Sequence, residues 1–228
     1  VDRGPLPEGR VSQIAAEAGL GLVTTFHGAD VNERLANPAT RPVMEGIVRL
    51  SDEIIVVSRT LQDRLLQAIP DVEGRVSLIP NVVPTSFAHA TEKDERSASP
   101  RWDVLLVGQL IHRNGGDVLL DAMSRVIRDI PSARLAFAGI GDLESRLRAQ
   151  AMELGIESHV DFLGELSRDA TLDAYRNSRV VAIPSRSEGL PLVLLEAQWR
   201  GIRVVASAVA GLPESIVDGA DGIQVPPA

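Results

Sequence analysis

Two glutamates near the end of the chain, Glu188 and Glu196, flank a segment whose backbone could bind a phosphate; it reads Glu-Gly-Leu-Pro-Leu-Val-Leu-Leu-Glu. Backbone N–H groups at the start of a helix lack intrahelical partners and lie at the positive end of the helix dipole, so they favour an anion. Carboxylates accept hydrogen bonds from hydroxyl groups. A phosphate site between two carboxylates matches a sugar nucleotide, which carries hydroxyls on its sugar, a diphosphate in the middle and hydroxyls on its ribose.

A strand and a helix must position these two glutamates. Residues 180–183 form an apolar run that predicts a short buried parallel strand, and Pro184 ends it where a binding loop would leave the sheet. Pro191 suits the first position of the following helix, and Gly201 suits the position just past its end. The first glutamate is therefore expected in the loop, and the second is expected one to two turns into the helix.

Either glutamate alone also has an ordinary structural interpretation. Acids are common near helix starts, so Glu188 could be one of these, and Glu196 could be a solvated residue on the outer face. Residues 192–195 are all apolar, however, and a helix that is apolar on nearly every side is buried. Glu196 would then be a buried acid, which needs a partner.

The segment from Pro184 to Gly201, together with residues 204–207, 211–214 and 222–227, closely resembles the retaining glycosyltransferases of family 4. These enzymes carry two glutamates separated by seven residues. The resemblance implies an α/β fold of the GT-B type, in which two Rossmann-like parallel-sheet domains face a cleft. The chain is expected to be incomplete at both ends, with its N-terminal domain only partly present.

The resemblance implies that the chain has three consecutive parts. Residues 1–84 are the C-terminal part of the N-terminal, acceptor-side domain. Residues 85–101 are the interdomain linker, because residues 91–100 are polar and lack a hydrophobic period. Residues 102–228 are the Rossmann-like domain that binds the donor nucleotide sugar, without its last helices.

Composition supports this class and excludes others. Hydrophobic residues make up 44% of the 228 residues and aromatic residues only 3%, which leaves aliphatic side chains to fill a parallel α/β core. A net charge of −8 argues against a general nucleic-acid binder. The sequence contains no cysteine, which excludes disulfides and thiol catalysis. No run is long enough to span a membrane. We expect a cytoplasmic protein, with peripheral attachment to the inner face of the membrane left open.

His27 is the candidate for chemistry in the first domain. It follows a strand predicted at residues 20–25, within a Phe-His-Gly-Ala-Asp segment, and ligands bind at the carboxyl ends of such strands. A lone histidine in a loop is more often structural. The resemblance implies that His27 contacts the donor sugar or its leaving phosphate, whereas Asp30 holds the loop. Ser58 is predicted to cap a helix.

A glycine-rich loop opens the second domain. Gly108 ends a buried strand, and the loop after it contains Gln109, Arg113 and Asn114 before the next helix. This pattern is similar to a phosphate-binding strand, turn and helix. The family usually has arginine and lysine at positions 109 and 114, both on the diphosphate. Arg113 or Arg186 could supply the missing charge, and each could equally be a surface residue.

The resemblance gives the remaining donor-binding residues. The loop containing Gly139 and Ile140, with Leu163 at the end of the next strand, would line the nucleobase pocket, although Gly139 could simply serve a turn that needs a positive φ. Glu188 would bind the sugar hydroxyls beside the amides of Gly189 and Leu190. The amides near Leu192 and Val193 would take the phosphate, and Glu196 would accept from the ribose hydroxyls.

The predicted function is transfer of a hexose-like sugar from a nucleoside diphosphate sugar to an unknown acceptor: a lipid, a glycan or a small molecule. The family implies no metal and no cofactor, in agreement with the absence of an Asp-x-Asp triplet. One alternative is a catalytically degenerate module of the same fold that only binds the nucleotide sugar. A nicotinamide-dependent enzyme is a weaker alternative, because the full glycine fingerprint is missing.

Overall fold

The computed structural model describes residues 7–83 and 97–227. These residues form two compact units. The first comprises the described residues up to Asn81, together with Ser187–Leu190 and Ala210–Ser215, and the second comprises the rest. Most of the predicted linker lies outside the described residues, so the domain limits at residues 84 and 102 stay a prediction.

The first unit contains a three-stranded parallel sheet in the order β1-β2-β3. Its elements alternate between helix and strand, as expected for a parallel sheet. They are α1 (Pro7–Glu17), β1 (Val23–Phe26), α2 (Arg41–Leu50), β2 (Glu53–Val56), α3 (Arg59–Ala68) and β3 (Val76–Leu78).

Local sequence signals explain where these elements begin. The Ser58 hydroxyl accepts a hydrogen bond from the Leu61 N–H at 3.3 Å, so the predicted cap of α3 is confirmed. Strand β1 begins later than predicted, at Val23, because that residue is the first to pair with β2. The Leu20 side chain is 63% exposed and lies outside the sheet.

The second unit contains a six-stranded parallel sheet. Each of its strands except the last is followed by a helix. The elements are β4 (Trp102–Val107), α4 (Gly116–Asp129), β5 (Leu135–Ala138), α5 (Glu144–Glu153), β6 (Val160–Gly164), α6 (Arg168–Arg176), β7 (Ser178–Ile183), α7 (Leu192–Trp199), β8 (Arg203–Ser207), the short α8 (Leu212–Ser215), which belongs to the first unit, and β9 (Gly222–Val225).

The strand order of this sheet is β6-β5-β4-β7-β8-β9. Counted within the unit this is 3-2-1-4-5-6, the order of doubly wound nucleotide-binding folds. All four residues of β5 are buried, as in a strand covered on both faces. The predicted α/β fold with two parallel sheets is confirmed. The order reverses between β4 and β7, and ligands of such folds bind where the loops after these two strands diverge.

Helix α7 differs from the prediction in two details. It begins at Leu192, and Pro191 precedes it in an extended conformation, with φ −71° and ψ 136°. Gly201 has the predicted place just past the helix end, with φ +64°. The Leu192 side chain is 44% exposed and Glu196 is half-buried. The helix is therefore buried on one side only, not all round.

Within residues 7–83 and 97–227, no helix combines the length and the apolar character needed to cross a bilayer.

Candidate functional site

The loops after β4 and β7 are in direct backbone contact. Gly115 has φ +70°, and a Cβ atom at this position would overlap the carbonyl oxygen of Pro184. The backbone N–H of Arg186 donates to the carbonyl oxygen of Arg113 at 2.8 Å. The glycine-rich loop and the loop leading to α7 therefore form one continuous backbone surface at the point where the strand order reverses.

The loop after β5 extends this surface. Gly139 has φ +148°, which confirms the prediction of a turn with positive φ, and a Cβ atom there would overlap the carbonyl oxygen of Gly108. The Leu110 N–H donates to the carbonyl oxygen of Ile140 at 2.9 Å. The half-buried Leu163 lies near the end of neighbouring β6. The structure thus brings the predicted nucleobase residues to the same sheet edge as Gly108.

Neutral side chains occupy the two positions at which cations were expected from the family. The amide nitrogen of Asn114 donates to the backbone carbonyl of Gln109 at 2.8 Å, so Asn114 closes the glycine-rich loop upon itself. The Gln109 side chain is exposed. Any positive charge for a diphosphate must therefore come from another residue.

Arg186 is held by an acid at the start of α4. Its guanidinium donates to both carboxylate oxygens of Asp117, at 2.9 and 2.8 Å, and to the carbonyl oxygen of His112 at 2.7 Å. Hydrogen bonding to Arg186 lowers the pKa of Asp117, although partial burial acts in the opposite direction. The guanidinium of Arg186 links the loop after β7 to the loop after β4 and to the start of α4. Arg113 lies half-buried in the glycine-rich loop.

The start of α7 presents the predicted anion-binding amides. Leu192 and Val193 occupy the first turn, where N–H groups lack partners within the helix. One turn later, Oε2 of Glu196 accepts a hydrogen bond from the hydroxyl of Tyr175 at 2.8 Å. Burial raises the pKa of Tyr175 well above its usual value, and the Glu196 charge adds to this. The need for a partner of Glu196 could be predicted, but its identity could not.

The remaining predicted residues lie in the first unit, where His27 and the Glu188 loop are neighbours. A Cβ atom at Gly189 would overlap the carbonyl oxygen of His27, and one at Gly28 would come within 2.7 Å of the Gly189 N–H nitrogen. The amide of Asn32 donates to the Glu188 carbonyl oxygen at 2.7 Å. The structure therefore brings His27, Glu188 and Gly189 together through backbone packing that only glycine permits.

Neighbouring side chains fix this region further. The Asp30 carboxylate accepts a hydrogen bond from the His27 N–H at 3.3 Å, as expected of a residue that holds the loop. The Asn81 amide donates to the carbonyl oxygen of the buried Leu190 at 2.7 Å. Sequence reasoning missed Asn32 and Asn81, because each acts across more than a hundred residues of chain.

The described part of the chain contains no group of three or more histidine, cysteine or acidic side chains that could hold a metal ion.

Comparison with known families gives two matches that together cover most of the chain. The profile described as glycosyl transferases group 1 matches residues 89–228. The profile described as glycosyltransferase family 4 matches residues 4–87.

Similar proteins include a GDP-mannose-dependent alpha-(1-6)-phosphatidylinositol monomannoside mannosyltransferase of Mycolicibacterium smegmatis, which is 29% identical over 90% of this chain and 56% of its own length. A D-inositol 3-phosphate glycosyltransferase of Mycobacterium sp. strain JLS is 34% identical over 90% of this chain and 50% of its own length. The chain thus spans about half the length of these relatives.

Solved structures share the fold. Anabaena HepE in complex with UDP-glucose superposes with a TM-score of 0.82 at 21% identity, over 96% of this chain and 62% of that protein. Sucrose-phosphate synthase from Thermosynechococcus elongatus gives a TM-score of 0.79 at 24% identity, over 96% of this chain and 58% of that protein.

Proposed function

The chain belongs to the glycosyl transferases group 1 family, and on this premise we propose that it transfers a hexose from a nucleoside diphosphate sugar to a hydroxyl acceptor, with retention of anomeric configuration. One observation carries the proposal. At the reversal of strand order, the glycine-rich loop after β4 is joined by backbone contacts to the loop that leads into α7, which is where doubly wound sheets bind nucleotides.

Residues of the second unit would bind the nucleotide. The unpartnered amides at the start of α7, at Leu192 and Val193, favour the diphosphate. Glu196 would accept hydrogen bonds from the two ribose hydroxyls. The base would lie along the edge formed by Gly139, Ile140 and Leu163. Preorganised donors at a departing phosphate supply much of the rate enhancement in such reactions.

Glu188 and His27 would bind the sugar. Glu188 orients the hexose through its hydroxyls, beside the amides of Gly189 and Leu190, and His27 contacts the sugar or the leaving phosphate. The acceptor oxygen forms a bond to the anomeric carbon on the face from which the diphosphate leaves. The bond from that carbon to the phosphate oxygen breaks, and the hydroxyl proton passes to the departing phosphate.

Arg113 is the proposed cation for the diphosphate, because it lies in the glycine-rich loop after β4. Loss of one such donor commonly lowers the rate about 10²–10³-fold. We expect Arg113→Ala to lower turnover by a factor in this range, measured as release of nucleoside diphosphate under donor saturation. Unchanged donor affinity and turnover in Arg113→Ala would remove Arg113 from the site.

Relatives of the chain carry the names of glycosyltransferases, which favours a transferase over the alternative of a module that only binds the nucleotide sugar. The two functions differ in one measurement. A transferase releases nucleoside diphosphate and glycosylates an acceptor, whereas a binding module shows affinity for the donor without turnover.

The test uses the full-length protein with UDP-glucose and GDP-mannose as first probes, because these donors occur in the structure and the name of similar proteins. Binding is measured by calorimetry and transfer by diphosphate release. Glu196→Ala should weaken nucleotide binding, and Glu188→Ala should mainly lower turnover. If both variants behave like the unsubstituted protein, the site assignment fails. If neither donor nor any other nucleoside diphosphate sugar binds, the proposed function fails.

A further inference from the structure

A single buried phenol contacts the carboxylate proposed to bind the ribose. Tyr175, on α6, is fully buried, and its hydroxyl donates to Oε2 of Glu196 on α7 at 2.8 Å. The two residues lie 21 positions apart on different helices. The sequence contains one tyrosine, so this hydrogen bond has a unique spectroscopic reporter.

The phenol stays protonated over the whole working pH range. Burial and then the negative charge of Glu196 raise the pKa of Tyr175, and a smaller effect of Arg200 opposes them. Tyr175 therefore always donates a proton to the hydrogen bond and carries no charge.

The hydrogen bond leaves most of the carboxylate available. An ionised carboxylate has about four lone-pair sites on its two oxygens, and the phenol uses one of them. The hydrogen bond from Tyr175 is made to Oε2. The torsion that orients a glutamate carboxylate is intrinsically broad, so without an anchor the plane of the carboxylate would rotate.

We propose that Tyr175 is a positioning residue that fixes the carboxylate of Glu196 for recognition of the two ribose hydroxyls of the nucleotide donor. This inference rests on the proposed function. Tyr175 contacts the nucleotide only through Glu196. A vicinal diol needs both carboxylate oxygens in one defined plane, and the buried hydroxyl supplies the fixed point that defines it.

The test asks whether Tyr175→Phe loses the preference for a ribose nucleotide over the dideoxyribose nucleotide. Tyr175→Phe removes the hydroxyl and keeps the aromatic ring. We expect its affinity for UDP or GDP to fall about tenfold, which lies near the lower end for losing a hydrogen bond to a charged group. Affinity for the matching 2′,3′-dideoxynucleoside diphosphate should not change. In a Glu196→Ala background, Tyr175→Phe should have no further effect, because the coupled partner is already absent.

Ser178→Ala is the matched control. The Ser178 hydroxyl is fully buried and donates to the Ala174 carbonyl oxygen at 2.7 Å at the end of the same helix. Its removal should lower thermal stability and leave the preference for ribose unchanged. If Tyr175→Phe weakens ribose and dideoxyribose nucleotides equally, or neither, Tyr175 is only a structural residue and the inference is wrong.

A second measurement does not depend on the folding of Tyr175→Phe. Tyrosine labelled with ¹³C at Cζ gives one NMR signal in this protein. We expect UDP or GDP to shift this signal, and the dideoxy analogue to shift it much less. Equal shifts with both nucleotides would overturn the inference.

The two proposals fail in distinguishable ways. If the unsubstituted protein binds no nucleoside diphosphate, the proposed function fails. If it prefers the ribose form and Tyr175→Phe keeps that preference, only the positioning role fails.

Discussion

Two acids on helices of the second unit, Asp117 and Glu196, are held in opposite ways. Asp117 on α4 receives two hydrogen bonds from the guanidinium of Arg186, and its charge is cancelled. Glu196 on α7 receives one from the neutral phenol of Tyr175. Both acids lie on helices that follow adjacent strands of the sheet, β4 and β7.

The two contacts differ in the charge of the donor, which is a guanidinium for Asp117 and a phenol for Glu196. An ion pair satisfies both partners and fixes two loops, as Arg186 does through Asp117 and the carbonyl of His112. A neutral donor fixes geometry without cancelling charge, so hydroxyl groups can still bind.

The largest expected effect comes from breaking the ion pair. Arg186→Ala removes three hydrogen bonds and leaves Asp117 without its counter-ion, and both side chains are about a quarter exposed. We expect the free energy of unfolding to fall by about 2 kcal/mol in urea denaturation.

Arg179→Ala is the control for this change. Arg179 pairs with Asp103 at 3.0 Å, but the Arg179 side chain is 60% exposed, and exposed pairs contribute about 0–1 kcal/mol. Equal losses in the two arginine variants would contradict the special role given to the Asp117 pair.

The second effect concerns high pH. The pKa of Tyr175 is raised on folding, so its contribution to stability is complete below the unfolded value of about 10 and is lost as pH rises above it. The loss approaches about 1.4 kcal/mol per pH unit. Urea denaturation at rising alkaline pH should show a smaller decline for Tyr175→Phe than for the unsubstituted protein. Parallel declines would show that the pKa of Tyr175 is the same in the folded and unfolded states.

The smallest effect concerns low pH. The pKa of Asp117 is lowered on folding, so its contribution is present above the unfolded value of about 3.9 and is lost as pH falls through the folded value. The difference in stability between the unsubstituted protein and Asp117→Asn should therefore shrink in acid, by about 1 kcal/mol or less. A constant difference between neutral and acidic pH would mean that the charge of Asp117 does not contribute.

Local features of the fold were predictable from sequence. Ser58 was predicted as a helix cap, and its hydroxyl accepts the expected backbone hydrogen bond at 3.3 Å. Gly139 and Gly201 have the positive φ angles that their positions suggested. These signals act over a few residues, so a single sequence contains them.

Pairings across the sheet were not predictable. Asp117 and Arg186 are 69 positions apart, and nothing in their spacing links them before the strand order is known. The sequence indicated that Glu196 needs a partner, but several polar groups could have served. Trp199 is 61% exposed, because α7 turns only one side to the sheet.

The contact between Gly115 and Pro184 makes the loops after β4 and β7 sensitive to a single added methyl group. The first carbon of a side chain at position 115 would overlap the Pro184 carbonyl oxygen and push the two loops apart. The pairing of strands β4 and β7 would not change. We therefore expect Gly115→Ala to leave the sheet formed and to displace the loops after β4 and β7.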